Sequence, residues 1–433
     1  MREKCALRSL IREDRRVDMK EKPVMKKPEL LAPAGDLERL KIAFEFGADA
    51  VYIGGEEFSM RAYANNFSAE DMKAGIEYAH ERGKKVYVTA NIIPHNSDMP
   101  GMEKYIRQIA DLKADAAIIS DPGVFEIARE VAPELEIHIS TQANNVNFKT
   151  VNFWHKLGAK RVVLARELSF EEIKFVRDNT PESLELELFV HGAMCISYSG
   201  RCLLSNYMTG RESNMGACAQ PCRWQYYLME EKRPGEYFPV LENDRGTFIF
   251  NSKDLCIIEH IPELIRCGVS SMKIEGRMKS SFYVATIVKA YRQAIDEYFN
   301  NPDDYTFNTK LVEEVSKSSN RGFTTGFYFN KPGSEDHVYE NSTYFREYDF
   351  LGLVLDYDEK TKVATIEQRN RIIAGDEIEV VPPKGDYFEQ KIKWMKNDKG
   401  EEIDSAPHAQ MIVTMPMLKP VEKFTVLRKK VNS

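Results

Sequence analysis

The sequence predicts an α/β fold: a TIM-type (β/α)8 barrel followed by a small C-terminal β-barrel domain. Eight short apolar runs recur between Glu29 and Gly276, and most are separated from the next by an amphipathic helical pattern. From about Tyr344 the helical period gives way to short alternating strands broken by turns, which predicts the second domain.

The runs are ELLAPAG (Glu29 to Gly35), ADAVYIGG (Ala48 to Gly55), KKVYVTAN (Lys84 to Asn91), ADAAIISD (Ala114 to Asp121), LEIHIST (Leu135 to Thr141), AKRVVLAR (Ala159 to Arg166), LELELFVHG (Leu184 to Gly192) and VSSMKIEG (Val269 to Gly276). Four of them share an approach from Gly or Ala into an apolar strand, a weak internal repeat. Between them lie helical patterns such as DLERLKIAFEFGA, where Leu37, Leu40, Ala43 and Phe44 fall on one face and Asp36 can cap the start. A doubly wound open sheet is the competing fold, and it accounts less well for eight units. The stretch SSFYVATIVKAYRQAIDEYF reads as the closing helix, with Ile287, Ala290, Tyr291, Ala294 and Ile295 on its apolar side. These patterns divide the chain into a disordered lead-in over 1–28, a barrel over 29–300, a linker over 301–343 and a β domain over 344–433.

With 433 residues and 43% hydrophobic content, both domains can bury a core. The net charge of -7 argues against a wholly basic nucleic-acid coat and leaves room for a local basic groove. Residues 1–28 carry ten Lys or Arg against five acids, lack the apolar core of a signal peptide, and include Met19 and Met25 as alternative starts. No run approaches a membrane span, so a cytoplasmic protein is expected.

In such a barrel the active site forms at the C-terminal ends of the strands. That makes candidates of Pro33, Gly35, Tyr52, Gly54, Asn91, Asp121, Thr141, Gln142, Arg166, His191, Lys273, Glu275 and Arg277, with Arg61 weaker. Lys273, Glu275 and Arg277 alternate along one strand and share a face. They read either as an internal ion-pair layer or as an anion pocket. In the pocket, Arg277 grips a carboxylate or phosphate, Lys273 and Arg166 add charge, and Glu275 orients a cation or moves a proton. His191 reads as a satisfied structural histidine or as a catalytic one. His80, His138 and His155 read as structural.

Four of the 7 cysteines fall between His191 and Trp224, spaced C-x6-C-x15-C-x3-C at Cys195, Cys202, Cys218 and Cys222. Four thiols in one short polar, Gly-containing stretch can converge on one point and are poor core material. The spacing supports a four-thiolate site without naming its metal, and disulfides or buried cysteine are the alternatives. Cys256 is a substitute fourth ligand if Cys222 does not bind. Signatures of zinc-protease helices, serine-hydrolase elbows and P-loops do not occur.

Taken together, ELLAPAG, GADAVYIGG, GACAQPCRW, NSKDL and KIEGR, with the block E-x-F-x2-G-x2-C-x3-S-G-R-C-x2-S from Glu187 to Ser205, resemble peptidase family U32, often labelled collagenase-like. The resemblance spans about residues 29 to 430. It implies an iron-sulfur protein, with Cys195, Cys202, Cys218 and Cys222 holding a cluster of the 4Fe-4S kind on an insertion after strand seven. It further implies oxygen-independent hydroxylation, in its closest branch at the wobble uridine of tRNA to give 5-hydroxyuridine, with prephenate as a small carboxylate co-substrate. Other branches act on a ribosomal RNA cytidine or in ubiquinone synthesis, and the family label implies a peptidase. Whether a homologous partner subunit is required stays open, and a structural zinc protein is a third reading. For RNA, Trp224, Tyr226 and Tyr227 beside Arg223, and the terminal VLRKK, offer stacking and charge.

Overall fold

The computed structural model describes residues 26–59, 66–195, 197–198, 201–224, 227–228, 238–239, 251–332, 336–338 and 345–431. The lead-in up to residue 25, Arg61 and Tyr226 lie outside them.

Strands β1 (Glu29–Pro33), β2 (Ala50–Gly54), β3 (Lys85–Ala90), β4 (Ala116–Ile119), β5 (Glu136–Ile139), β6 (Arg161–Val163), β7 (Glu185–Gly192) and β8 (Ser271–Ile274) pair in sequence order, and β8 pairs with both β7 and β1, closing the barrel. All eight pairings are parallel. Buried on both faces, these strands read as apolar runs rather than strict alternations.

Helices α1 (Leu37–Glu45), α2 (Ala69–His80), α3 (Met99–Asp111), α4 (Pro122–Val131), α5 (Phe148–Lys156) and α6 (Phe170–Asp178) fill the first six crossovers. Their starts are fixed by side-chain caps: Asp36 accepts from the Arg39 amide, Asp121 from Gly123 and Val124, and Ser169 with Glu172 forms a capping box. Between β7 and β8 the chain makes a long excursion containing the short α7 (Leu204–Thr209) and α8 (Ile261–Arg266). Residues Asp254–Cys256 return along the end of β7 in antiparallel fashion. Helix α9 (Ser281–Asn300) closes the ring, followed by α10 (Lys310–Ser316).

The second domain is a six-stranded antiparallel sheet in the order β12-β11-β14-β9-β10-β13, with β9 (Tyr348–Asp358), β10 (Val363–Gln368), β11 (Glu377–Val381), β12 (Phe388–Lys391), β13 (Ile412–Pro416) and β14 (Val426–Lys430). It curls into a half-barrel. Gln390 on β12 donates to the Pro416 carbonyl of β13 at 3.0 Å and accepts from the Leu418 amide, so the two edges meet through a side chain rather than a ladder.

Arg428 ties this domain to the barrel. Fully buried, it donates to Glu314 of α10 and, at 2.7 Å, to Glu379 of β11. Lys429 pairs with Asp376. The VLRKK stretch is therefore β14 of the sheet, and Arg428 and Lys429 are committed to ion pairs instead of an RNA surface. Lys289 of α9 adds bonds to the Pro382 and Gly385 carbonyls at 2.6 and 2.7 Å, and Phe282 stacks on Phe350. No described helix is long and apolar enough to cross a membrane.

Candidate functional site at the barrel mouth

The lumen is filled in tiers. Leu31, Ala50, Tyr52, Tyr87, Ala116 and Ile118 form an apolar cluster separate from the outer core. Below it sits a layer of charge. Arg161 donates to Glu29 at 2.6 Å, Glu185 at 2.6 Å and Glu187 at 3.0 Å, Lys273 donates to Glu187 at 2.9 Å, and Tyr87 and Ser271 donate to Glu29. Burial would raise the Glu187 carboxyl, but Lys273 and then Arg161 more than offset it and hold it down at about 2. Lys273 thus belongs to an internal ion-pair layer, with its ammonium 4.4 Å from the centroid of the Tyr52 ring. His138 lies against Tyr87 in the same tier, kept neutral by burial and by Arg161.

Arg277 lies at the top of the lumen. Buried itself, it donates to Ser59 Oγ at 2.5 Å, Thr89 Oγ1 at 3.2 Å and Asn66 Oδ1 at 2.7 Å. Gly54 makes the room: a Cβ there would stand 2.5 Å from both terminal guanidinium nitrogens. Glu275 is nearby, with a carboxylate oxygen 3.4 Å from the Tyr52 hydroxyl, which donates to the Ile274 carbonyl at 3.0 Å. Thr89 follows from the alternation Tyr87, Thr89, Asn91 along β3, a signal legible in the sequence. Ser59 and Asn66 come from the loop after β2 and carry no such signal.

The row continues across the mouth. Asn91 Nδ2 donates to Ser140 Oγ at 3.2 Å, and Ser140 Oγ also accepts from the Gln142 amide. Asp121 and Thr141 are occupied structurally, Asp121 as the α4 cap and Thr141 donating to the Leu164 carbonyl.

His191 faces elsewhere. Alternation from Glu187 and Phe189 would point it inward, but the pairing of β7 with β8 slips at Val190, matching Lys273 to Phe189 and Ile274 to His191. The ring packs against Tyr283 and Tyr291 of α9 and against Phe323, and burial, then Lys279, lowers it to about 3. Cys256 pairs opposite His191, with its thiol 3.9 Å from the Tyr291 hydroxyl and pushed up to about 12 by burial. A thiol so disposed is a poor substitute ligand.

The cysteine stretch crosses the mouth. Arg166 donates to the Ala193 carbonyl at its root at 2.6 Å, Arg201 to Asn144 beyond β5 at 2.8 Å, and the Ile93 amide beyond β3 to the Asn214 carbonyl. Within it, Ser205 accepts from the Ala219 amide, and the Gln220 amide donates to Cys218 Sγ at 3.3 Å. Cys195 and Cys218 are exposed, and Cys202 and Cys222 half-buried. Among the described residues no three His, Cys, Asp or Glu side chains are gathered closely enough to hold a metal ion. The donor set still suits a thiolate-bound group: four soft ligands on one stretch, none in the core, one already accepting an N–H···S bond. Tyr198, Leu203, Tyr207, Met208 and Trp224 stand exposed on the same stretch.

Comparison with known proteins matches residues 35–338 to the model for peptidase family U32 and residues 346–428 to the model for the peptidase family U32 C-terminal domain. The chain is 44% identical over 406 residues to tRNA hydroxylation protein P1 of Bacillus subtilis, covering 94% of this chain and 96% of that one. It is 38% identical to tRNA hydroxylation protein P of Escherichia coli, covering 92% and 95%. A Porphyromonas gingivalis protein named collagenase is 34% identical, covering 89% and 93%.

Proposed function

The chain belongs to peptidase family U32, and from that premise we propose that it is an iron-sulfur-dependent, oxygen-independent tRNA hydroxylase making 5-hydroxyuridine at the wobble position. The observation that carries this reading is similarity along nearly the whole chain to relatives named for tRNA hydroxylation.

Cys195, Cys202, Cys218 and Cys222 would hold the cluster, which when bound supplies one-electron chemistry at the mouth. The chain's own side chains do the rest. Arg277, presented by Ser59, Thr89 and Asn66, is positioned to grip the carboxylate of a small co-substrate such as prephenate. Arg166 fixes the root of the cysteine stretch and adds positive charge beside it. Glu275, held near Tyr52, is the acid best placed to orient a bound group or move a proton. Lys273 and Glu187 neutralise each other beneath the pocket and keep its floor rigid.

Nucleoside mass spectrometry of tRNA from a strain lacking the gene tests the reading. Loss of 5-hydroxyuridine derivatives, restored by the gene and not by Cys195→Ala, is expected. An unchanged nucleoside profile overturns it. The relative named collagenase favours a peptidase as the second reading. Gelatin cleavage by homogeneous protein, abolished by Arg277→Ala, would establish that reading instead.

A further inference from the structure

Two neighbouring helices on the barrel wall turn large apolar side chains outward. Phe153 on α5 is 54% exposed and Phe175 on α6 is 59% exposed, and Val146 and Leu157 stand exposed just beyond the two ends of α5. Val151 and Trp154 of α5 and Ile173 and Val176 of α6 are the buried residues that face the barrel, so these phenylalanines do not serve its core. The helices lie side by side: Asn152 Nδ2 donates to the Asn179 carbonyl at 2.8 Å, and the rings of Phe148 and Phe175 meet edge-on with centroids 5.8 Å apart. Apolar side chains grouped in this way, rather than scattered singly, mark a contact surface.

The charges on the two helices select what covers them. Lys149, Phe153 and Lys156 are the second, sixth and ninth residues of α5, and all three are exposed. Glu171, Phe175 and Asp178 hold the same positions on α6 and are exposed too. Steps of four and three residues return to one face of a helix, so each helix presents a single crest of charge, phenylalanine, charge. The crest is cationic on α5, which contains no acid. On α6 it is anionic: Glu171, Glu172 and Asp178 outnumber the exposed Lys174, which pairs with Asp178, while Arg177 is spent on the Leu184 carbonyl.

A nucleic acid or an anionic membrane is repelled by the α6 half of this face. A second copy of the chain is not, because its α5 crest complements the α6 crest of the first. Around a two-fold axis running along the helices, α5 of each copy lies on α6 of the other, with opposite charges facing and the phenylalanines buried among them. An axis running across the helices would instead lay α5 on α5, lysine against lysine. We propose that the chain pairs with a second copy of itself through α5 and α6 about the axis along them. Barrel helices run antiparallel to the strands, so in this dimer the two barrels stand side by side and both mouths open on the same side. The inference stands apart from the hydroxylase reading, and its failure leaves that reading untouched.

Sedimentation velocity of the intact protein tests the pairing. Two short helices a side cover less than the roughly 800 Å² per partner of a standard interface, so dimers should appear at about 10 to 100 µM and weaken as salt rises. Phe153→Asp and Phe175→Asp should each weaken pairing about ten-fold or more at an unchanged melting temperature, because neither ring belongs to the core. Lys149→Glu with Lys156→Glu should weaken it about five-fold, and adding Glu171→Lys with Asp178→Lys should restore it. Wild-type protein that stays monomeric throughout overturns the proposal, and that measurement needs no variant. A dimer indifferent to both phenylalanine variants overturns it, as does a loss on reversing the lysines that reversing the acids fails to rescue. Monomeric protein that loses tRNA binding on Phe153→Asp gives the face to RNA and overturns it too.

Discussion

Lys273 Nζ stands 2.9 Å from Glu187 Oε1 inside the barrel, where the Glu187 side chain is 1% exposed and Arg161 reaches its other oxygen at 3.0 Å. A carboxylate between two cations in a sealed layer is stabilising only while it stays charged. Its folded pKa of about 2 lies below the ordinary 4.5, so its contribution is complete above pH 4.5 and disappears as pH falls through 2. Glu187→Gln should cost roughly 3 to 5 kcal/mol at pH 7, and the gap from wild type should narrow between pH 4.5 and 2. Urea unfolding across that range measures it.

Gly54→Ala should disable the mouth without unfolding the barrel. The added methyl would meet the Arg277 guanidinium at 2.5 Å and displace it from Thr89 and Asn66. Modification activity should fall at least ten-fold, with about 1 to 3 kcal/mol of stability lost to the displaced guanidinium and the barrel still folded.

Tyr207 is 86% exposed on α7, so its removal should leave stability within about 0.5 kcal/mol. A base stacked on it would be worth about 1 to 3 kcal/mol. Tyr207→Ala should therefore weaken tRNA binding about five-fold or more in an anisotropy titration.

Iron and sulfide analysis separates the cysteines. Anaerobically purified Cys195→Ala should lose both, whereas Cys256→Ala should retain both, because its thiol packs beside Tyr291 with its pKa raised.

Lys289 joins the two domains through carbonyls alone, and burial lowers its pKa to about 8 from 10.5. The unfolded chain binds the proton more tightly between those values, so stability from this group rises as pH climbs from 8 to 10.5. The difference between wild type and Lys289→Met should move in favour of wild type over that interval in denaturant titrations.

The barrel was legible because each inward-packed strand had to be an apolar run and each crossover an amphipathic helix, patterns local enough to see in a window of ten residues. Alternation likewise grouped Lys273, Glu275 and Arg277, although β8 ends at Ile274 and only Lys273 lies on it. It could not say which cation met which acid, because Arg161 and Glu187 approach from other strands. His191 could be read as structural or catalytic from the sequence because one slipped residue at Val190 reverses the inward face, and a slip leaves no mark in composition. VLRKK read as surface charge because Glu314 and Glu379, which bury Arg428, lie 114 and 49 residues away in sequence.

The layer of Glu29, Tyr87, Arg161, Glu187 and Lys273 makes the barrel a vessel with one door. On the proposed reading, a small anion bound at Arg277 would have to arrive before RNA covers the mouth, and its remnant would wait below until that RNA withdraws.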